Sequence, residues 1–84
     1  MKNNKKQIFT KYIIQYHVLP HSKKGWAVKS SKIDRNEKLT KDRLEAISYA
    51  KNKARIINGE IIVHNKDGRI IERNSYYKLS DNKK

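Results

Sequence analysis

Three histidines, His17, His21 and His64, are the side chains of this sequence that could ligate a metal or move a proton near neutral pH. His17 and His21 flank Val18-Leu19-Pro20, and His64 closes an apolar run, Ile61-Ile62-Val63. If the strands carrying His17 and His64 are neighbours, the two rings approach each other. Zinc asks for three or four nitrogen, sulfur or oxygen ligands in tetrahedral array. Two or three histidines with no carboxylate at a ligand spacing fall short of that, and cysteine is absent. The reading for all three is therefore hydrogen-bonded structural or surface histidine, with no metal and no cofactor.

The carboxylates give a similar answer. Asp34, Glu37, Asp42 and Glu45 lie close in sequence, but Lys32, Arg35, Lys38, Lys41 and Arg43 alternate with them. Alternating signs mark a solvated face, not a pair of acids poised in a cleft. Asp67 belongs to an Asp-Gly turn. No Walker loop, dinucleotide fingerprint or nucleophile elbow is present. The chain is expected to bind and not to catalyse.

The residue types that dominate are lysine and arginine. Against 21 of them stand 8 acids, a net charge of +13 over 84 residues. The ends, Met1–Lys11 and Lys78–Lys84, carry +6 of this, and the body between them carries +7. A body basic in its own right attracts phosphate polymers or acidic proteins, and it excludes a mimic of nucleic acid. Candidate nucleic-acid-binding residues are Lys23, Lys24, Lys29 and Lys32 around a first hairpin, Lys51 and Arg55 on a helix, and Lys66, Arg69 and Arg73 around a second hairpin. Contact through these groups is phosphate-dominated and weak in sequence preference. The alternative partner is a protein, bound by addition to a sheet edge or through an acidic surface, as in a phage-type inhibitor of a host protein. A membrane partner is not expected. No apolar run nears the roughly 20 residues of a bilayer span, and a soluble, cytoplasmic protein is the expectation.

The elements that must position these groups follow from periodicity. Tyr12–Leu19 is rich in β-branched and aromatic residues and meets Pro20, which reads as a strand and its terminator. Ile14, Tyr16 and Val18 share one face; Ile13, Gln15, His17 and Leu19 share the other. A turn over His21–Gly25 leads to a second strand, Gly25–Lys29, with Trp26 and Val28 on one face. Ser30–Lys38 is polar and is expected to extend that strand at most, before a loop. Thr40 predicts a helix N-cap, and Leu44, Ala46, Ile47, Ala50, Ala54 and Ile57 predict the apolar face of a helix over 41–57. Gly59 suits a left-handed stop. Glu60–His64 and Arg69–Arg73 form a hairpin around Asn65-Lys66-Asp67-Gly68. The fold class is α+β: a two-layer ββ-α-ββ sandwich, four-stranded and mainly antiparallel, with one helix on one face. Residues 1–10 and 78–84 are basic arms on a single domain over 11–77. The uncovered sheet face, with Ile13, Leu19, Ala27 and isoleucines of the later strands, calls for cover by the termini or by a second copy in a homodimer.

The residues Tyr16-His-Val-Leu-Pro-His21, Gly25-Trp-Ala-Val28, Glu45-Ala-Ile47, Ile62-Val-His64, Asp67-Gly-Arg-Ile70 and Ser75-Tyr76 are, in order and spacing, similar to a family of short bacterial proteins, the domain of unknown function family DUF2188. The resemblance covers about residues 15–77. It implies one autonomous domain in a bacterial or phage setting and brings no activity or catalytic residue.

Overall fold

The computed structural model describes residues 13–33 and 35–77. The arms expected at 1–10 and 78–84 fall outside them. Five strands and one helix follow in chain order: β1 (Gln15–His21), β2 (Gly25–Ser30), β3 (Asn36–Thr40), α1 (Arg43–Ile57), β4 (Glu60–His64) and β5 (Ile70–Ser75). They form one mixed sheet in the order β3-β2-β1-β4-β5 with α1 packed on one face.

The two-layer α+β architecture agrees with the sequence; the strand count does not. Asn36–Thr40, with Leu39 as its only large apolar residue, pairs antiparallel with β2 and makes a fifth strand. Polar, charged composition is what an edge strand needs to avoid pairing with other chains, so the strand carries no apolar alternation to betray it. All neighbours are antiparallel except β1 and β4, which run parallel with Tyr16 opposite Ile61 and Val18 opposite Val63. A parallel pair needs a long return path, and the chain makes it through β2, β3 and α1.

Pro20 does not end β1, which continues to His21. The pairing with β4 has already stopped at Val18, so the missing N–H of Pro20 interrupts only the end of a hairpin ladder. The helix starts at Arg43, two residues later than expected. Its N-cap is Asp42, without a side-chain cap hydrogen bond, and Thr40 instead sits buried at the end of β3 with its hydroxyl donating to the Asp42 carbonyl at 2.7 Å. Leu44, placed on the apolar face by its spacing, is 71 % exposed, because it lies about 120° round the helix from the centre of the buried line of alanines.

The core fills the space between α1 and the sheet. Ala46, Ala50 and Ala54, one helical turn apart, have no solvent exposure. Their small side chains let the helix lie close to Tyr16, Val18, Trp26, Val28, Ile61 and Val63, with Ile14, Ile47, Tyr49 and Tyr76 packed at the margin. Burial of one such aliphatic side chain contributes about 1.5–3 kcal/mol. At the helix C-terminus the left-handed residue is Asn58 (φ 56°) and not Gly59. Gly59 is required for another reason: a Cβ there would collide with the Ile14 carbonyl oxygen.

The other sheet face is less bare than the sequence suggests. Ala27 and Ile62 are buried even without a second layer. In one row across the sheet, Lys29, His17, Ile62 and Arg73 stand side by side, so long polar side chains flank the isoleucine. Among the described residues, no helix is long and apolar enough to cross a membrane.

Candidate functional site

Because β1 and β4 are parallel, they finish at the same end of the sheet. β3 also runs this way, being antiparallel to β2. Three connections therefore crowd one end: the β1–β2 turn, the β3–α1 junction and the β4–β5 loop. Lys23 and Lys24 sit in the first, Lys41 in the second, and Lys66 and Arg69 in the third. A groove of about 550 Å³ runs between them, lined by Pro20, His21, Ser22, Gly25, Trp26, Lys41 and Lys66. Asp42 and Asp67 share this end, so its charge is positive but not unopposed.

Local hydrogen bonds fix both turns. The backbone N–H groups of Lys23 and Lys24 donate to His21 Nδ1 at 3.3 and 3.0 Å, so the imidazole plays the part that an Asn or Asp carbonyl oxygen plays in many turns. In the second loop, Asn65 Oδ1 accepts from the N–H of Asp67 at 2.9 Å and of Arg69 at 3.1 Å. Gly68, with φ 90°, completes that loop with open space where a side chain would be. The lysines and arginines at these tips thus extend from ordered backbone. Below them, the Arg43 guanidinium lies over the Trp26 ring, 5.5 Å from its centre.

The second group lies on the open sheet face. His17 Nδ1 and His64 Nε2 are 3.1 Å apart, and His64 Nδ1 is 2.9 Å from the Gly68 carbonyl oxygen. A carbonyl only accepts, so His64 Nδ1 carries the proton. In the neutral pair its Nε2 then accepts from His17 Nδ1–H, which leaves His17 Nε2 as a bare lone pair. Burial, with the neighbouring His64 and Arg73, pushes His17 below the ordinary histidine value; Glu60 opposes this and Lys29 adds to it. Glu60 itself is buried, its Oε1 accepting from Gln15 Nε2 at 2.9 Å and its Oε2 from the Ser75 hydroxyl at 3.1 Å, with Arg73 Nε at 4.0 Å. No group of three or more histidine, cysteine or carboxylate side chains placed to hold a metal occurs among the described residues.

Of the nine basic residues singled out from the sequence, four converge at the end with the two turns: Lys23, Lys24, Lys66 and Arg69. Lys29 and Arg73 share the open-face row with His17, and Lys32 stands in the loop after β2, at the opposite end of the sheet. Lys51 and Arg55 belong to α1, in the other layer. Lys41 was hidden to sequence reading because the strand that delivers it, β3, was itself hidden. Lys38 and Lys53 lie 5.8 and 5.7 Å from the centre of the Tyr49 ring.

The family model described as an uncharacterized protein conserved in bacteria, DUF2188, matches residues 16–76. The chain belongs to the DUF2188 family. That match runs from β1 to just past β5, so the DUF2188 pattern takes in the whole sheet, the helix and both turn tips. No curated protein and no solved structure matches the chain.

Proposed function

We propose that this DUF2188 protein is a non-enzymatic basic domain that binds nucleic acid through its phosphates, with little sequence preference. The observation that carries the reading is the parallel pairing of β1 with β4. It brings the two turns, with Lys23, Lys24, Lys66 and Arg69, to the same end of the sheet, where Lys41 and Lys66 line a single groove. Long flexible cations at one end of the domain supply affinity for phosphates without reading bases. The aromatic residues support phosphate contact over base stacking. Tyr16 and Trp26 are buried, Tyr76 is packed on the core, and Tyr49 faces two lysines.

The test is a mobility-shift titration with a generic duplex over a salt series. The logarithm of the affinity is expected to fall linearly with that of salt, with a slope of about −0.9 for each phosphate neutralised. Absence of retardation at low salt overturns the reading.

A protein-binding role by strand addition is the second reading, and β5 favours it. It is an edge strand, α1 packs mainly on the other four strands, and Ile70 and Ile71 on it are 51 % and 50 % exposed. A second copy of the chain is one such partner. Sedimentation at increasing concentration, with an Ile70→Thr, Ile71→Thr variant as comparison, separates self-association from a monomer.

A further inference from the structure

Register sets one row of residues at the end of the sheet with the two turns. His21 lies opposite Gly25 in the β1–β2 hairpin, and Trp26 lies opposite Thr40, so the chain leaving β3 brings Lys41 against Gly25. Gly25 has φ 109°, and a Cβ on it would stand 2.8 Å from the Lys41 carbonyl oxygen. The missing side chain is what admits the Lys41 backbone so closely. On the other side of β1 runs β4, and the loop that follows β4 carries Lys66. His21 therefore stands between the two segments that bear Lys41 and Lys66, and these residues line the groove of about 550 Å³ together with Ser22. Asp42 and Asp67 follow the two lysines directly, yet neither Lys41 nor Lys66 forms an ion pair among the described residues.

The β1–β2 turn decides what His21 offers. Its Nδ1 accepts the backbone N–H groups of Lys23 and Lys24 at 3.3 and 3.0 Å. A ring nitrogen that accepts carries no proton, so the proton of the neutral imidazole sits on Nε2. That Nε2–H has no acceptor among the described residues. The turn thus fixes the tautomer and leaves a neutral donor on the edge of the ring away from the turn backbone.

We propose that the groove seats one phosphate group, with Lys41 and Lys66 supplying the charge and His21 Nε2–H a neutral hydrogen bond, so that His21 is a contact residue as well as a turn residue. The proposal deepens the nucleic-acid reading above and rests on it for the source of the phosphate, which is the backbone of the bound strand. A phosphate oxygen accepts from an ammonium, an imidazole N–H or the Ser22 hydroxyl alike. The contacts differ in their response to salt. A lysine that neutralises a phosphate releases a counterion, and a neutral donor releases none. His21 therefore adds affinity without adding to the salt dependence.

Two measurements at about pH 8, where imidazole is neutral, test this. In the first, the wild-type protein is titrated with sulfate against an equal ionic strength of chloride, and the His21 ring nitrogens are followed by long-range proton–nitrogen correlation. The free protein is expected to carry the ring proton on Nε2, and sulfate to shift the Nε2 resonance. In the second, duplex affinity over a salt series is compared for the wild type, His21→Asn and Lys41→Gln. Asparagine keeps a carbonyl oxygen for the turn N–H groups and has no atom at the Nε2 position; a wild-type urea midpoint checks that the turn is kept. His21→Asn is expected to bind about tenfold more weakly with the salt slope of the wild type, and Lys41→Gln to bind more weakly with a slope shallower by about 1. If the duplex binds, yet His21→Asn binds as tightly as the wild type or sulfate leaves Nε2 unmoved, the seat falls and the broader reading stands. A ring proton found on Nδ1 also overturns the seat. If no duplex binds but sulfate shifts Nε2, the anion seat stands and the nucleic-acid reading falls.

Discussion

Gly59 lies against the carbonyl oxygen of Ile14 so closely that no side chain fits between them. The contact joins the end of α1 to the start of β1, and three backbone hydrogen bonds surround it: Gly59 N–H to Ala54 O at 2.7 Å, Glu60 N–H to Ile14 O at 3.0 Å, and Tyr76 N–H to Gly59 O at 2.8 Å. Gly59→Ala should therefore cost about 1–3 kcal/mol, the range for forcing atoms into a packed interior. Asn58→Gly, at the residue with positive φ, should be neutral or slightly stabilising, since glycine adopts that conformation without strain. Urea midpoints of the two variants check the contrast, and equal destabilisation would contradict it.

Glu60 should be worth more to stability than its place on an open face suggests. It ties β1 to β5 through Gln15 and Ser75 across β4. Glu60→Ala leaves those donors without their acceptor, at a cost of about 1–3 kcal/mol. Glu60→Gln keeps one acceptor oxygen for Gln15 and should lose less. A larger loss in the glutamine variant than in the alanine variant, read by denaturant titration, would refute the assignment.

The histidine pair should make the fold sensitive to acid. His17 sits below its ordinary value because of burial, His64 and Arg73, so between the folded and unfolded values the unfolded chain binds more protons. Stability then rises with pH in that window. It is complete above the ordinary histidine range near about 6.5 and declines as the pH falls through it toward the folded value. His17→Gln should flatten this dependence, measured as the urea midpoint against pH. An unchanged slope in the variant would place the acid sensitivity elsewhere.

Charge reversal should separate the end with the two turns from the helix. Lys23→Glu with Lys24→Glu, or Lys66→Glu with Arg69→Glu, should weaken duplex binding and make the salt slope shallower by about 1 for each phosphate that is no longer neutralised. Lys51→Glu with Arg55→Glu, on α1 in the other layer, should leave the slope nearly unchanged. Equal weakening by all three pairs would mean binding by overall charge alone. Circular dichroism of each variant checks that the fold is kept.

Much of this arrangement is legible in the residues. β1 and β2 announce themselves by alternation around Val18, Trp26 and Val28, and the three alanines of α1 by their spacing of four. Even the approach of His17 to His64 follows once β1 and β4 are neighbours. Other features are hidden for identifiable reasons. β3 has the polarity of an exposed edge, so its only signal, Leu39, is indistinguishable from a stray loop residue. Leu44 reads as a core position but sits on the flank of α1, away from the Ala46, Ala50 and Ala54 line, and an apolar residue on the flank looks in sequence like one on the face. The direction of β1 relative to β4 decides which cations meet, and a strand's composition is the same in either direction. The site was therefore written in the sequence as a set of side chains without their grouping.

The central seam of the sheet has a consequence for how the chain reaches this shape. β1 and β4 are about 45 positions apart, joined to each other by register and by the Gln15–Glu60 bond. Each brings its own hairpin partner, so the N-terminal β-meander and the C-terminal helix–hairpin are local units that must then meet. Closing that long loop is the entropically demanding step, and it sets the pace of folding more than either half does. Two separately made fragments, divided between Thr40 and Arg43, each hold one side of the seam and have the complementary edges needed to reassemble.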